Sequence, residues 1–218
     1  MPPLKSAIMS RFVILLGGTL TVTPRLRSQV ENARVIAADS GMTHAMPLGL
    51  NAELWVGDFD STSEALAARH SDVAREEHPA DKAATDGEIA IDAAILRGAS
   101  QFVLVGGFGG QADHTFGHAG LVLALAMRGY RALLTSGTEE AYPLLPGEHH
   151  LELPPATRLS IIPFVDLTGL DLENVKWPLY QRDVALGSSL TLSNVALGPV
   201  RIGLGSGYGL AIAYPSGA

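Results

Sequence analysis

The sequence predicts an α/β domain followed by a small all-β domain. Over the first two thirds of the chain, short apolar runs alternate with stretches of helical character, as in a parallel sheet flanked by helices. After about residue 148 the runs alternate with a period of two and are separated by Pro, Gly, Asn and Ser, as in antiparallel strands. We therefore expect a mostly parallel sheet with flanking helices over residues 1–145 and a β-sandwich over residues 146–218.

Five apolar runs in the first region have the length and continuity of strands buried on both faces. These predicted strands are Phe12–Leu16, Val35–Ala38, Leu54–Val56, Phe102–Val105 and Ala132–Leu134. Helices are predicted between them, at residues 41–48, 62–70, 87–97 and 115–128. Capping-box sequences at 61–64 and 85–88 mark two helix starts, and Gly98 and Gly129 stand where left-handed C-terminal caps are expected.

The second region contains shorter runs that are punctuated by turn-forming residues. The predicted strands are Leu151–Leu153, Leu159–Ile162, Leu190–Leu192, Val200–Leu204 and Leu210–Ala213. The glycine-rich segment GSGYG at 205–209 is predicted to form a hairpin turn between the last two strands. No helical period appears in this region, which supports an all-β interpretation.

The composition excludes several functional classes. The 218-residue chain has a formal net charge of −7 and only 17% charged residues, so it lacks the basic excess that nucleic-acid binders show. It contains no cysteine, which excludes disulfides, thiolate zinc sites and cysteine nucleophiles. Its apolar stretches are shorter than a secretory or membrane-spanning segment requires. We expect a cytoplasmic protein that binds neither nucleic acid nor membranes.

Several acidic residues stand at strand ends. Asp39 follows the second predicted strand, Asp58 and Asp60 follow the third in GDFDS, and Asp113 comes after the glycine-rich end of the fourth. Asp86 stands at the start of a predicted helix. Ligands of open α/β sheets bind at the carboxyl ends of the strands. Because carboxylate oxygens are hard ligands, such a cluster is typical of a Mg²⁺ site that substrate phosphates complete.

Each of these features also has a purely structural interpretation. Asp58 and Asp60 alternate along the chain, so either one could simply cap the following helix. Thr85 fits a helix cap even better, because its capping-box partner Glu88 is present. The segment GGFGG at 106–110 is either a tight turn that needs positive φ or a loop whose N–H groups approach phosphate.

Taken in chain order, these motifs resemble those of the thiamine pyrophosphokinase family. The motifs are ADSG at 38–41, GDFDS at 57–61, K-x-x-T-D at 82–86, GGFGGQADH at 106–114, VKWPL at 175–179 and LSN at 192–194. The resemblance extends from about Leu15 to Tyr214. It departs from the family pattern at Ala83, where an aspartate is usual, and at Gln111, where an arginine is usual.

The resemblance implies transfer of pyrophosphate from ATP to the hydroxyl of thiamine, giving thiamine diphosphate and AMP. It implies Mg²⁺ bound by Asp58, Asp60 and Asp86, with Asp113 as a further catalytic carboxylate. The implied nucleotide site comprises Asp39, Ser40, Gly41, Lys82, Thr85, Gly107, Gly109, Gly110, Gln111 and His114. The implied thiamine site comprises Trp177, Ser193 and Asn194, and is completed across the interface of a homodimer.

Two other functions are compatible with the same residues. One is a diphosphokinase that acts on another alcohol, such as a hydroxymethyl pterin; Trp177 and the Ser193–Asn194 pair argue against it, because they lie in the domain that would choose the acceptor. The other is a catalytically weakened protein that binds thiamine or a nucleotide. Ala83 and Gln111 motivate this alternative, since each removes a charged side chain from the family pattern.

Overall fold

The computed structural model describes residues 10–60, 62–79 and 84–215. The strands of these residues are β1 Arg11–Leu15, β2 Arg34–Ala38, β3 Leu54–Gly57, β4 Ala74–Glu77, β5 Gln101–Val105, β6 Arg131–Thr135, β7 Glu140–Leu144, β8 Gly147–Leu151, β9 Arg158–Pro163, β10 Leu167–Val175, β11 Leu179–Val184, β12 Asn194–Leu204 and β13 Gly209–Tyr214. The helices are α1 Pro24–Val30, α2 Ala45–Leu48, α3 Glu64–Arg69, α4 Asp86–Leu96 and α5 Ala112–Met127, with a 3₁₀ helix at Asp39–His44. None of these helices is long and apolar enough to cross a membrane.

The first six strands form the parallel half of the sheet, in the order β4-β3-β2-β1-β5-β6. From the central strand β1 the chain moves outward to β4 and then returns to β5 on the other side of β1. This reversal places a topological switch point at the carboxyl end of β1, where ligands bind in sheets of this kind. The predicted parallel sheet with flanking helices is confirmed.

Both faces of the parallel half are buried, as the continuous apolar runs predict. On one face, Phe12 and Ile14 of β1 pack with α4 and α5. On the other face, Val13 and Leu15 pack with α1 and the segment around Met42. The alternation of β1 between these two cores fixes its register, because a shift of one residue would exchange the two faces.

The antiparallel half continues from β6 through β7, β13 and β9. Strand β12 pairs with β9 through Asn194 and Val195, and its later residues pair with β8 and β10 in a second layer. Leucine side chains from both layers, including Leu159 and Leu172, form a separate core between them. The predicted β-rich C-terminal region is therefore confirmed.

Three predicted details of this region are wrong. Residues Leu190–Leu192 form a turn, in which the leucines are exposed and Thr191 is buried with its hydroxyl donating to the Ile161 carbonyl. The strand predicted at Leu151–Leu153 runs earlier, over Gly147–Leu151. The turn at 205–209 joins strands of different layers, since β12 and β13 do not pair with each other, so it is not a hairpin.

A buried charged cluster ties α1 to the first strand of the antiparallel half. The guanidinium of Arg25 donates to both carboxylate oxygens of Glu140, at 2.7 and 3.0 Å. Gln29 and Tyr142 donate to the same carboxylate. The Glu140 side chain is only 1% exposed, so its charge depends on these donors rather than on water.

We expect Arg25→Met to lower the free energy of unfolding by about 3 kcal/mol, because it leaves the Glu140 charge buried without its cation. The matched control is Arg34→Met, which breaks the more exposed Arg34–Glu53 pair. It should cost about 1 kcal/mol or less. Urea denaturation of both variants measures the difference, and equal costs would contradict a stabilising role for the buried pair.

Candidate functional site

Two glycine-rich segments meet at the carboxyl ends of β1 and β5. The Gly18 N–H donates to the Gly106 carbonyl and the Thr19 N–H donates to the Phe108 carbonyl, both at 2.7 Å. A Cβ on Gly18 would lie 2.4 Å from each of these two oxygens, so only glycine permits the contact. We call residues 16–19 and 106–111 the paired glycine loops.

Two histidines hold the paired glycine loops from inside the protein. The Nε2 of His44 lies 2.9 Å from the Gly18 carbonyl, and the Nδ1 of His118 lies 3.1 Å from the Gly107 carbonyl. Because a carbonyl can only accept, each of these ring nitrogens carries a proton. Burial lowers the pKa of both histidines, although the bonds to the carbonyls oppose that shift.

An acidic cluster lies at the ends of β2, β3 and the start of α4. Partial burial raises the pKa of Asp39, and the nearby charges of Asp86, Asp58 and Asp60 raise it further, against a bond from the Ser40 backbone. The Asp39 Oδ1 atom is buried and has no hydrogen-bond partner within the described residues. The structure therefore places the carboxylates of Asp86, Asp58 and Asp60 near enough to Asp39 for their charges to act on it.

Two of the motifs that carry these carboxylates contain a residue in the left-handed backbone conformation, which turns the chain at the strand end. Asp39 has φ +43° and Phe59, between Asp58 and Asp60, has φ +59°. Such angles are strained for residues with a Cβ, and they persist only where the surroundings enforce them. The buried Trp55 does so at both places: its Nε1–H donates to the Asp39 carbonyl at 2.8 Å, and its ring meets the Phe59 ring edge-to-face.

Ser40 and Gly41 follow Asp39 in the 3₁₀ helix, beside the end of β1. Gly41 is buried there, whereas Ser40 is exposed. The Ser40 hydroxyl stands next to the first glycine after β1, since a Cβ on Gly17 would lie 2.2 Å from its Oγ. The ADSG motif therefore borders the paired glycine loops on one side and the acidic cluster on the other.

The start of α4 confirms the helix cap that the sequence predicts. The Thr85 hydroxyl accepts from the Glu88 N–H, and the Glu88 carboxylate accepts from the Thr85 N–H, which completes a capping box. The Thr85 hydroxyl also donates to Glu88. This cap fixes the first turn of α4 and with it the backbone of Asp86.

A cleft of about 470 Å³ lies between the start of α4 and the exposed face of α5. Its polar walls include Thr85, Glu88, Asp113, His114 and His118, and its apolar walls are glycine, alanine and leucine residues of α5. The carboxylate of Asp113 accepts from the N–H of His114 at 2.9 Å. Asp113 is therefore placed in this cleft rather than among the charges that act on Asp39.

The predicted thiamine residues lie together in the antiparallel half. The Asn194 side chain is buried and bonds the Trp177 backbone in both directions, accepting from its N–H at 3.1 Å and donating to its carbonyl at 2.7 Å. Asn194 thus holds the Trp177 turn in place. The Trp177 ring is 54% exposed, with the Lys176 ammonium 4.5 Å from its centre. Ser193 is exposed and has φ +59°.

The remaining predicted residues fall into two groups. Gly107, Gly109, Gly110 and Gln111 belong to the paired glycine loops, and the last three are exposed. Lys82, together with the departure at Ala83, lies outside the described residues. The sequence analysis missed Gly17–Gly18 and His44. A signal for the glycines existed, because a Gly-Gly pair lies just after β1 as another does after β5.

The donor set fits Mg²⁺ better than Zn²⁺, because the cluster offers carboxylate oxygens, which hard cations prefer, and one of them is buried without a partner among the described residues. No three acidic or histidine side chains among the residues described form a ready-made ion cage. Such an open arrangement suits Mg²⁺, which binds one or two carboxylates and takes its other ligands from water and substrate phosphates.

Comparisons with known proteins agree with this arrangement. A family model described as the catalytic domain of thiamin pyrophosphokinase matches residues 26–134, and a model of the vitamin B1 binding domain of the same enzyme matches residues 148–208. A thiamine pyrophosphokinase from Bacillus subtilis is 30% identical over 191 residues, which cover 85% of this chain and 89% of the relative.

Solved structures show the same architecture. The crystal structure of thiamine pyrophosphokinase from Bacillus subtilis superposes with a TM-score of 0.84 at 25% identity, over 95% of this chain and 100% of that one. A family member from Enterococcus faecalis superposes with a TM-score of 0.79 at 23% identity, over 95% and 100% of the two chains; this second likeness concerns the fold alone. The chain belongs to the thiamin pyrophosphokinase family.

Proposed function

We propose how this chain performs the reaction of its family, the transfer of pyrophosphate from ATP to the hydroxyl of thiamine, which gives thiamine diphosphate and AMP. One observation carries the proposal: the acidic cluster of Asp39, Asp58, Asp60 and Asp86 lies beside the paired glycine loops at the switch point of the sheet. An anionic nucleotide and a divalent cation need these two surfaces side by side.

The paired glycine loops are the proposed site for the triphosphate. Loop N–H groups can approach phosphate oxygens closely where glycines leave no Cβ in the way. Residues 106–111 also lead directly into the N-terminus of α5, whose helix dipole favours an anion. Gln111 stands at the N-cap of that helix and is exposed. Ser40, Gly41, Lys82, Thr85 and His114 are the further residues that we assign to the nucleotide.

Asp58, Asp60 and Asp86 are the residues that we assign to Mg²⁺. A Mg²⁺ ion held by these carboxylates would offset the repulsion between a tetra-anionic nucleotide and a protein of net charge −7. The nearness of these negative charges supports the assignment, because together with partial burial, the larger cause, they raise the pKa of Asp39. The left-handed turn at Phe59 aims the two carboxylates of GDFDS from one strand end.

The chemical step requires the thiamine hydroxyl oxygen to attack the β-phosphorus as AMP departs from the opposite side. A new O–P bond forms at the hydroxyl and the bond between the α- and β-phosphates breaks, so the protein forms no covalent bond and contributes positioning and charge stabilisation. We assign Asp113 to orient the hydroxyl and accept its proton, because its carboxylate lies in the cleft next to Thr85 and His114.

Residues 146–218 are the proposed thiamine domain, and residues 1–145 the proposed nucleotide domain. The exposed Trp177 ring suits stacking on the flat, cationic vitamin, with Ser193 and Asn194 beside it. Trp177 does not line the cleft between α4 and α5, which supports a homodimer in which the partner completes the site. Exposed apolar side chains of the same region, including Tyr180 and Leu197, are available for such an interface. A cytoplasmic location stays a prediction.

The comparisons do not favour the alternative functions. Both family models describe the same enzyme, one at each end of the chain, and the curated relative carries the same name. A pterin-specific diphosphokinase would have no reason to retain a vitamin B1 binding domain.

Product analysis tests the proposed reaction. The protein is incubated with Mg²⁺, ATP and thiamine, and nucleotides and thiamine phosphates are separated by chromatography. We expect AMP and thiamine diphosphate in equal amounts, with neither formed when thiamine is omitted. Formation of ADP with thiamine monophosphate would contradict transfer at the β-phosphorus, and turnover of the pterin alcohol instead of thiamine would contradict the substrate.

A further inference from the structure

The paired glycine loops are held by two histidines that the proposed reaction does not use. We propose that His44 and His118 are positioning residues for the nucleotide: each binds a loop carbonyl inside the protein, so that the loops present N–H groups to the triphosphate. The inference rests on the proposed function, because it assumes that the triphosphate binds at these loops.

Four carbonyl groups at the base of the paired glycine loops accept hydrogen bonds from donors of the protein itself, apart from the Gly109 and Gln111 carbonyls near Thr115. The occupied carbonyls and their donors are Gly18 with His44, Gly106 with the Gly18 N–H, Gly107 with His118, and Phe108 with the Thr19 N–H. Two of the four bonds arise from pairing between the loops, and the histidines supply the other two. Without the histidines, the carbonyls of Gly18 and Gly107 would lose these donors.

The N–H groups show the opposite pattern. Within the described part of the chain, none of the backbone N–H groups of residues 107–111 donates to another protein atom. A segment whose N–H groups are not used within the protein, and most of whose carbonyls are, is complementary to an anion, because a carbonyl dipole turned towards a phosphate repels it while an N–H attracts it. The polarity that residues 107–111 present to a ligand therefore depends on the donors that bind the carbonyls of this segment.

The placement of the two rings matches this task. His44 touches both loops at once: it binds the Gly18 carbonyl, and a Cβ on Gly106 would lie 3.0 Å from its ring. His118 binds the Gly107 carbonyl from the first turns of α5 and lines the cleft between α4 and α5. Both rings are partly buried, and their lowered pKa values favour a neutral ring with its proton on the nitrogen that faces the carbonyl.

Substitutions that either keep or remove the N–H donor to the loop carbonyl test the inference. The side-chain amide of asparagine can replace the Nδ1–H of His118, and that of glutamine can replace the Nε2–H of His44, whereas leucine supplies no donor. We compare His118→Asn with His118→Leu, and His44→Gln with His44→Leu. Isothermal titration with the Mg²⁺ complex of a non-hydrolysable ATP analogue measures nucleotide affinity without turnover, and steady-state assays give KM for thiamine.

We expect each leucine variant to weaken binding of the analogue about tenfold, the scale of one lost hydrogen bond to an essential carbonyl. The amide variants should restore most of the affinity, and KM for thiamine should stay unchanged in the two His44 variants, because His44 does not line the cleft that contains Asp113. The matched control is His149→Leu, because His149 also donates to a backbone carbonyl, that of Leu145, away from the loops. It should lower thermal stability without changing nucleotide affinity.

Two results would overturn the inference. One is equal affinity in the leucine and amide variants, and the other is a loss of affinity in His149→Leu as large as in the loop variants, which would indicate a general effect on stability. Neither result affects the proposed reaction, which fails separately if the wild-type protein forms no thiamine diphosphate.

Discussion

Replacing Asp58 by asparagine is expected to lower kcat by about a thousandfold or more, because it removes a charge that would stabilise the cation and the transferring phosphates. The amide oxygen of asparagine can still accept from the Asp60 N–H, as the Asp58 carboxylate does at 3.2 Å. The turn around Phe59 should therefore persist, and thermal stability should change little. Steady-state formation of AMP measures the loss of activity.

The affinity for Mn²⁺ in the absence of nucleotide is a second measurement of the effect of Asp58→Asn. Electron paramagnetic resonance should show weaker Mn²⁺ binding in Asp58→Asn than in the wild-type protein. The matched control is Asp92→Asn, which removes an exposed carboxylate from α4 and should change neither kcat nor Mn²⁺ affinity. A similar fall in kcat in both variants would show that net charge, and not the acidic cluster, governs activity.

Replacing Gly106 by alanine is expected to destabilise the protein by about 3 kcal/mol or more and to abolish nucleotide binding. Gly106 has φ +79°, and a Cβ there would lie 2.3 Å from the Leu16 carbonyl oxygen and 3.0 Å from the His44 ring. Since these neighbours belong to the facing loop and to the carbonyl-binding histidine, the paired glycine loops would have to separate. Urea denaturation and titration with the ATP analogue measure the two effects.

The control variant Gly98→Ala measures the loss of stability that the positive φ alone causes, without the steric overlap that a Cβ at Gly106 would create. Gly98 has φ +86°, but no atom lies within 4 Å of the position that its Cβ would take. Alanine there should cost about 1–2 kcal/mol, the penalty of the left-handed conformation alone, and should leave nucleotide affinity intact. If the two variants were equally stable, close approach of the loops would not be what requires glycine at position 106.

The sequence was sufficient to predict the buried parallel strands and the acidic residues at their ends. Strand β1 lies within one residue of its predicted bounds, because a run of apolar residues long enough for two buried faces has few alternatives. Asp39 and Asp58 follow β2 and β3 directly. Their proximity was predictable because parallel neighbouring strands bring their carboxyl ends to one edge.

Two of the strands that the sequence analysis missed have little buried surface. Strand β4 is exposed along its whole length and lies at the edge of the sheet, so hydrophobic periodicity carried no signal for it. Strand β11 is exposed over most of its length as well. The alternation of leucine and polar residues at Leu190–Leu192 wrongly predicted a strand with buried leucines. Tertiary packing instead buries Thr191, whose hydroxyl donates to the Ile161 carbonyl.

The positioning of the site residues also depends on tertiary contacts that the sequence does not reveal. Asn194 has the residue type of a ligand-binding amide, but its side chain holds the backbone of Trp177, which is 17 residues away. Trp55 supports Asp39 from a neighbouring strand. His44 has no motif of its own, and its contact with Gly18 spans 26 residues.

The most direct measurement is a crystal structure of the protein with Mg²⁺ and a non-hydrolysable ATP analogue. We expect a metal ion within coordination distance of carboxylates from Asp58, Asp60 or Asp86, and phosphate oxygens within hydrogen-bond distance of N–H groups from residues 107–111. A triphosphate seated in the antiparallel half, or a metal ion bound without any of these carboxylates, would contradict the account.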